Sequence, residues 1–407
     1  MIIKKCRSCK SIKIKKLFSL GKLSFTGKFS KSKNLNIPQA ELGLVICKNC
    51  ELVQLSKNFD LKYLYGSDYG YRTGINKTMT LHMKKIANKA QSLVKLKKND
   101  AVLDIASNDG TLLNFYNRNI FTAGIDPTIR KFRKRYKNIN LKISNFFSRK
   151  EIIKHTNKKF KIISALSVFY DIEKPHDFLK DVFSLLHDDG IFVLEQADLQ
   201  SIIDLKMFDT ICHEHLEYYS HKVIINLLKE NNLILFDYTK NDINGGSTQY
   251  YIKKNKNYSI EVKHKKIKKL LSLEKKFGLN KISTYKAFFK NIQNTKIKLI
   301  KLLNKIKKNK EIIHGYGAST KGNVLLQYFG ISSDYLDYIS DRNPLKDGMF
   351  TPNTKIKIIN EDLSRKLKPN YYLVLPWHFK KEILLREKKI IKKGTKFIFP
   401  LPELKIC

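Results

Sequence analysis

No apolar run in the 407 residues approaches the roughly 18 that a membrane-spanning helix requires, so membrane insertion is not expected. The opening Met1-Ile2-Ile3-Lys4-Lys5-Cys6 returns to charge before an apolar stretch of signal-peptide length has formed, which makes a cytoplasmic address the expectation. Acidic side chains are also scarce: 36 Asp and Glu stand against 79 Lys and Arg, a net charge of +43. Such an excess ordinarily raises nucleic acid or an anionic membrane as a partner. Here the lysines are spread over nearly every segment among Ile and Asn, with no localised basic stripe, and runs such as 263–269 and 388–393 read as solvated faces. A nucleotide-linked or other phosphorylated small molecule would benefit from the same field.

Cysteine is sparing but ordered. Four of the six fall as Cys6-Arg7-Ser8-Cys9 and Cys47-Lys48-Asn49-Cys50, two C-x2-C knuckles with 37 residues between them. Each knuckle turns two thiolates inward, and two knuckles complete a tetrahedron, so a zinc ribbon is expected. A redox pair would need a βαβ context that this end lacks. Four thiolates leave no open position on the ion, which makes its role structural.

The length exceeds what one core supports, so two or three domains are expected. Met83, Ile86, Ala87, Ala90, Leu93 and Val94 recur at helical spacing, and the chain then reads as strand, small-residue loop and helix start over Ala101-Val102-Leu103-Asp104-Ile105-Ala106-Ser107-Asn108-Asp109-Gly110. Such a turn lets a ligand approach backbone N–H groups. A second strand, Thr122 to Ile125, ends in Asp126-Pro127, where a carboxylate can accept from ribose hydroxyls. Further strands at 161–166 and 190–195 flank a helical segment, and this alternation argues for a doubly wound, mostly parallel sheet. Farther on, two helical stripes precede Ile312-Ile313-His314-Gly315-Tyr316-Gly317-Ala318-Ser319, another strand and small-residue loop, with further strands at 336–339 and 371–375. The C-terminal stretch is therefore a second, smaller α/β unit.

Between the two units lies Asp209-Thr210-Ile211-Cys212-His213-Glu214-His215-Leu216-Glu217-Tyr218-Tyr219. Histidines flanking a glutamate can supply a general base near neutral pH. They can equally cap a helix or satisfy core polar groups; a metal-binding His-x-His would need a third ligand that the sequence does not identify.

Taken in order, the paired knuckles, Leu52-Val53-Gln54-Leu55, Asp68-Tyr69-Gly70-Tyr71, Asp104-Ile105-Ala106-Ser107-Asn108-Asp109-Gly110, Glu214-His215, Gly315-Tyr316-Gly317-Ala318 and Asp341-Arg342-Asn343-Pro344 resemble the three-domain S-adenosylmethionine-dependent sugar C-methyltransferases over essentially the whole chain. The resemblance implies a zinc-binding ribbon at 1–72, a Rossmann-like class I methyltransferase domain at 73–256 and a helical and Rossmann-like α/β domain at 257–407. It implies methyl transfer to a carbon of a nucleotide-linked keto-deoxysugar through an enolate, with S-adenosylmethionine as cofactor and structural Zn2+ on Cys6, Cys9, Cys47 and Cys50. His215 would be the base, Glu214 would orient it, and Tyr71, or Tyr69 in its place, would line the sugar pocket and help hold the enolate oxygen. Asp104, Ala106, Ser107, Asn108 and Gly110 would surround the cofactor's amino-acid end, and Asp126 would meet its ribose. General methyltransferases more often have GxGxG where this loop has Ala106, Asn108 and Gly110. Two departures from the family touch the sugar end: Cys212 stands where some members carry tyrosine, and Phe169-Tyr170-Asp171 where some carry histidine. Cys212 reads as an inert buried thiol rather than a catalytic one. The partners expected are the sugar nucleotide alone, without nucleic acid, in a monomer or homodimer. Two other classes stay open: a zinc-ribbon RNA methyltransferase, which steeply salt-dependent RNA binding would reveal, and a catalytically idle cofactor-bound scaffold.

Overall fold

The computed structural model describes residues 2–65 and 71–407. Strands β1 (Ile14–Ser24), β2 (Gln39–Cys47) and β3 (Val53–Leu55) form an antiparallel meander. The knuckle before β1 meets the knuckle at the end of β2. Residues 66–70, which include Asp68, Tyr69 and Gly70, lie outside the described residues.

Helix α1 (Lys77–Leu93) starts where the Asn76 side chain accepts from the Thr78 and Met79 N–H groups, and it buries Met79, Met83, Ile86, Ala87 and Ala90 along one stripe. Strands β4 (Ala101–Ile105), β5 (Phe121–Ile125), β6 (Leu141–Ile143) and β7 (Phe160–Leu166) follow. After helix α2 (Pro175–Leu185), with proline in its first turn, comes the long strand β8 (Leu186–Gln196).

The next strand, β9 (Glu217–Tyr218), leaves this unit and pairs with β3, closing the N-terminal sheet in the order β1-β2-β3-β9. The chain returns through helix α3 (His221–Glu230) to β10 (Leu233–Asn241) and β11 (Ser247–Lys254). The second sheet then has the order β10-β11-β8-β7-β4-β5-β6, with β4 to β8 parallel and β11 antiparallel to both neighbours. The order reverses at β4, so the crevice beyond its C-terminal end is where a doubly wound sheet receives ligand.

One expectation fails locally. Only a single 3-10 turn, Leu113–Phe115, follows the loop after β4. The Gly110 carbonyl accepts from Asn114 N at 3.3 Å and from the Asn114 side-chain amide at 3.0 Å, so one helical turn closes there and is not continued. No helix dipole therefore serves that loop.

Helices α4 (His264–Phe277) and α5 (Ile282–Lys308) lead to β12 (Ile313–Tyr316), α6 (Thr320–Phe329), β13 (Tyr338–Asp341), β14 (Ile358–Asn360), β15 (Tyr371–Val374), β16 (Lys396–Phe399) and β17 (Lys405–Ile406). These strands form a third sheet, β14-β13-β12-β15-β16-β17, parallel except at β17. β13 sits two residues later than periodicity places it, because the turn at 332–336 consumes Leu336 as a buried plug. The N-terminal sheet and the C-terminal unit share a core: Phe18 stacks on Phe289 of α5 at 5.0 Å and tilts against Phe288 at 5.8 Å. Among the described residues no helix is long and apolar enough to cross a membrane.

Candidate active site

The loop after β4 is held in an unusual backbone state. Ala106, Asn108 and Gly110 all take positive φ, at 57°, 49° and 75°. Glycine-rich loops use such conformations freely; here asparagine, which tolerates them, and alanine, which is strained in them, do so. At Gly110 a methyl would come 2.8 Å from Ile139 Cδ1 and 3.2 Å from the Tyr136 ring. Gly110→Ala is expected to lower stability by about 1–3 kcal/mol through backbone strain and crowding, measured as a drop in denaturation midpoint.

Hydrogen bonds fix the loop on every side. Asp126, at the tip of β5, accepts from Asn108 N at 3.0 Å, and its other oxygen accepts from Thr128 N at 2.6 Å. Ser107 Oγ and the Asn108 carbonyl both meet Tyr136 OH at 2.8 Å. Asn108 Oδ1 accepts from Thr73 N at 3.0 Å, its amide donates to the Tyr71 carbonyl at 3.2 Å, and Asp109 accepts from Gly74 N at 3.0 Å. The segment before α1 is thereby strapped over the loop. Tyr71, 47% exposed, stands beside it. Asp104 accepts from Ser164 Oγ at 2.6 Å, and burial raises its pKa to about 7. Burial likewise pushes the Asp126 carboxyl up.

A cavity of about 890 Å³ opens beyond the loop and is lined by Asp104, Ala106, Ser107, Asn108 and Asp126 on one side. Its floor carries Glu214 and His215, and its far wall comes from the loop between β12 and α6. Among the described residues selected from the sequence as catalytic or cofactor-binding, Gly110 alone does not line this space.

The segment that forms the floor is built from buried polar groups. His213 is fully buried between the Phe25 and Phe59 rings, edge-on at 4.7 and 4.9 Å, with Nε2 3.2 Å from the Ala40 carbonyl. Burial holds its pKa down to about 4. Glu214 is buried, accepts from Thr26 Oγ1 at 3.3 Å, and leaves Oε1 without a partner among the described residues. Burial raises its pKa. His215 is half-buried against the Tyr170 ring, 4.3 Å between centroids. Its Nδ1 lies 2.8 Å from the Thr210 carbonyl. A carbonyl only accepts, so Nδ1 carries the hydrogen and Nε2 presents a lone pair. Burial, with the Lys321 ammonium assisting, lowers its pKa to about 3.

Sequence reasoning gave no role to Lys321, His378 or Asp209, and named Asp171 and Cys212 only as departures from the family. Lys321, in the first turn of α6, donates to the Asn244 carbonyl at 3.0 Å and shares the cavity with His378, whose Nδ1 is buried without a partner among the described residues. Asp209 accepts from Trp377 Nε1 at 2.8 Å. The turn carrying Asn244 is tight: at Gly245, φ 96°, a methyl would meet Met207 Sδ and the Trp377 ring at 2.9 Å. Asp171 is buried with Oδ1 unpartnered among the described residues, and Tyr65 OH donates to Oδ2 at 2.6 Å. Cys212 is fully buried, its thiol pushed up by desolvation and nearby carboxylates, so it stays neutral. The only available signal for the far-wall residues was the repeated strand and small-residue loop at 313–322.

At the N-terminal end, the ligand atoms of Cys6, Cys9, Cys47 and Cys50 all lie within 4.8 Å of one another, with Cys6 to Cys50 at 3.6 Å and Cys9 to Cys47 at 3.5 Å. A tetrahedral Zn–S length of about 2.3 Å requires sulfur separations of about 3.8 Å, so the four thiols fit zinc. The cofactor site also fits its ligand chemically: carboxyls at the ends of β4 and β5 suit an ammonium and ribose hydroxyls, and Met79, Ile125 and Phe146 offer apolar walls.

Comparison with known proteins follows the same three-part order. Residues 6–65 match a zinc binding domain family, residues 79–236 a methyltransferase domain family, and residues 242–402 the C-methyltransferase C-terminal domain family. The C-methyltransferase NovU of Streptomyces niveus is 27% identical over 371 residues, covering 90% of this chain and 87% of that protein. Among solved structures, an S-adenosylmethionine-dependent methyltransferase from Clostridium acetobutylicum ATCC 824 is 15% identical with TM-score 0.34, over 42% of this chain and 89% of its own. The plantazolicin methyltransferase BamL, solved with a triazolic desmethylPZN analog and SAH, is 15% identical with TM-score 0.35, over 44% and 86%. A zinc-binding ribbon, a methyltransferase sheet and a C-methyltransferase C-terminal unit are all in place, and with the C-methyltransferase relative they identify an S-adenosylmethionine-dependent C-methyltransferase.

Proposed function

We propose that the protein methylates a carbon beside the ketone of a nucleotide-linked keto-deoxysugar, with His215 as the base. The observation that carries this reading is the His215 imidazole, pinned through Nδ1 to the Thr210 carbonyl with Nε2 left to accept a proton in the cavity shared with the loop after β4.

When bound, S-adenosylmethionine supplies an electrophilic methyl group on a sulfonium. Asp104 and Asn108 hold its amino-acid end and Asp126 its ribose, with Ser107, Ala106 and Gly110 shaping the loop around it. His215 Nε2 takes the α-proton. Positioning and a placed base together account for the rate, the base alone contributing about 10²- to 10⁴-fold. Glu214, clamped by Thr26, fixes the segment that bears His215. Tyr71 lines the sugar end and Lys321 adds a cation near the developing enolate oxygen. The nucleotide is assigned to the loop between β12 and α6, where Asp341 orders the backbone by accepting from Ala318 N at 2.6 Å and where Lys346 and Arg342 bring positive charge. Residues 1–72, 73–256 and 257–407 are the functional units of this reading, and its address is the cytoplasm.

Assay of a panel of nucleotide-linked 4-keto-hexoses tests the substrate class: methylated product from at least one supports it, and turnover only with RNA overturns it. The pH profile tests the base. An unperturbed imidazole, with pKa about 6.5, is mostly protonated at pH 5.5; His215, held near 3, remains neutral there. With S-adenosylmethionine saturating, so that Asp104 near 7 does not report through cofactor binding, kcat/KM for the sugar nucleotide is therefore expected to show no ascending limb near 6.5 between pH 5 and 8. A limb centred there contradicts the assigned state.

A further inference from the structure

Two polar side chains inside the zinc ribbon are buried more deeply than a purely structural metal site requires. Gln54 is 0% and Arg7 4% exposed. Burying a guanidinium is costly unless its hydrogen bonds are satisfied. Those bonds link the Cys6 thiol to the segment that carries His215. The Gln54 amide donates to Cys6 Sγ at 3.2 Å, and its carbonyl accepts from Arg7 N at 3.1 Å and Arg7 Nη1 at 3.2 Å. Nη1 then donates to the Leu55 carbonyl at 2.7 Å and to the Leu216 carbonyl at 3.4 Å. The Leu216 carbonyl also accepts from Leu55 N at 2.8 Å, and β9 follows at once, pairing Gln54 with Glu217 and Val53 with Tyr218. Leu216 is the residue after His215.

The same sheet grips the other side of the segment. Thr26 holds Glu214, Ala40 holds His213, and Phe25 and Phe59 box the His213 ring. The geometry points to Gln54 and Arg7 as positioning residues through which the four-cysteine site sets the placement of residues 213–217. A residue bonded to a metal thiolate orients that ligand, and here the same residue also orients the floor of the active site. The zinc site is thus coupled to catalysis without touching substrate. Its link to turnover rests on His215 as base; its link to the geometry of the segment does not.

Hydrogen-exchange mass spectrometry on the full chain separates these. In Gln54→Met, zinc content is expected to stay at one per chain and SAH affinity within twofold. Exchange in residues 211–219 is expected to quicken at least tenfold, and kcat to fall about tenfold with little change in KM. Should this variant fail to fold, the wild-type chain stripped by a chelator is the second measurement, with residues 371–374 as internal control. Faster exchange at 211–219 with the control unchanged supports the coupling. No change at 211–219, or an equal rise in both segments, overturns it. A failure of His215 as base would appear separately, as normal turnover in His215→Gln beside an unaltered exchange result.

Discussion

His215→Gln is expected to lower kcat by about 10²- to 10⁴-fold, the contribution of a placed general base, while SAH affinity stays within twofold. Glutamine approximates the size of the ring and can keep a donor toward the Thr210 carbonyl, so the floor of the cavity survives while the accepting lone pair is lost. Single-turnover measurement of methyl transfer beside calorimetric SAH binding separates the two quantities. Undiminished turnover would remove His215 from the chemistry. His213→Gln should instead appear as a stability change, because that ring meets Ala40 and two phenylalanines rather than the cavity.

Asp126→Ala is expected to weaken SAH binding by about 100-fold, since hydrogen bonds to a charged group are worth about 1.5–3 kcal/mol each. Two effects add. The ribose loses its acceptor, and the Asn108 and Thr128 N–H groups that Asp126 now satisfies lose theirs, freeing the loop. Asp126→Asn keeps one acceptor oxygen and should lose less. Calorimetry reads both; affinity within threefold of wild type in the alanine variant would exclude Asp126 from the site.

The parts of this protein written in local pattern were legible. Paired knuckles specify the four-thiol cluster because ligand spacing is a local property. Buried parallel strands announced themselves as short apolar runs between small residues, and α5 as a long stripe. What the sequence hid depends on distant partners. Nothing in Glu217-Tyr218 marks a strand that leaves the central unit to finish the N-terminal sheet. The left-handed backbone at Ala106 violates residue preference, and Asp126 and Tyr136 from later segments, with Tyr71, Thr73 and Gly74 from an earlier one, hold the loop around it. Thr26, Asp171, Lys321 and His378 come from four separate stretches and carry no spacing that links them to His215. The helix expected after Gly110 closes a single turn, Asn114 N on the Gly110 carbonyl, and gives way to the 3-10 turn Leu113–Phe115.

That convergence also gives the net charge of +43 a context. Lys321 and Lys346 enter the cavity, where burial lowers both ammonium pKa values. Most other lysines stay on solvated faces. A phosphorylated small ligand therefore meets a few placed cations within a broadly positive field, which speeds encounter without specifying a polymer.

The central claim is proton removal by His215 from the carbon beside a ketone. It is tested most directly by incubating protein, SAH and a nucleotide-linked 4-keto-hexose in deuterium oxide and following deuterium at that carbon by mass spectrometry. Our account predicts incorporation with the wild type and at least a hundredfold less with His215→Gln. Equal incorporation by both proteins, or methyl transfer by a wild type that exchanges no proton, would contradict it.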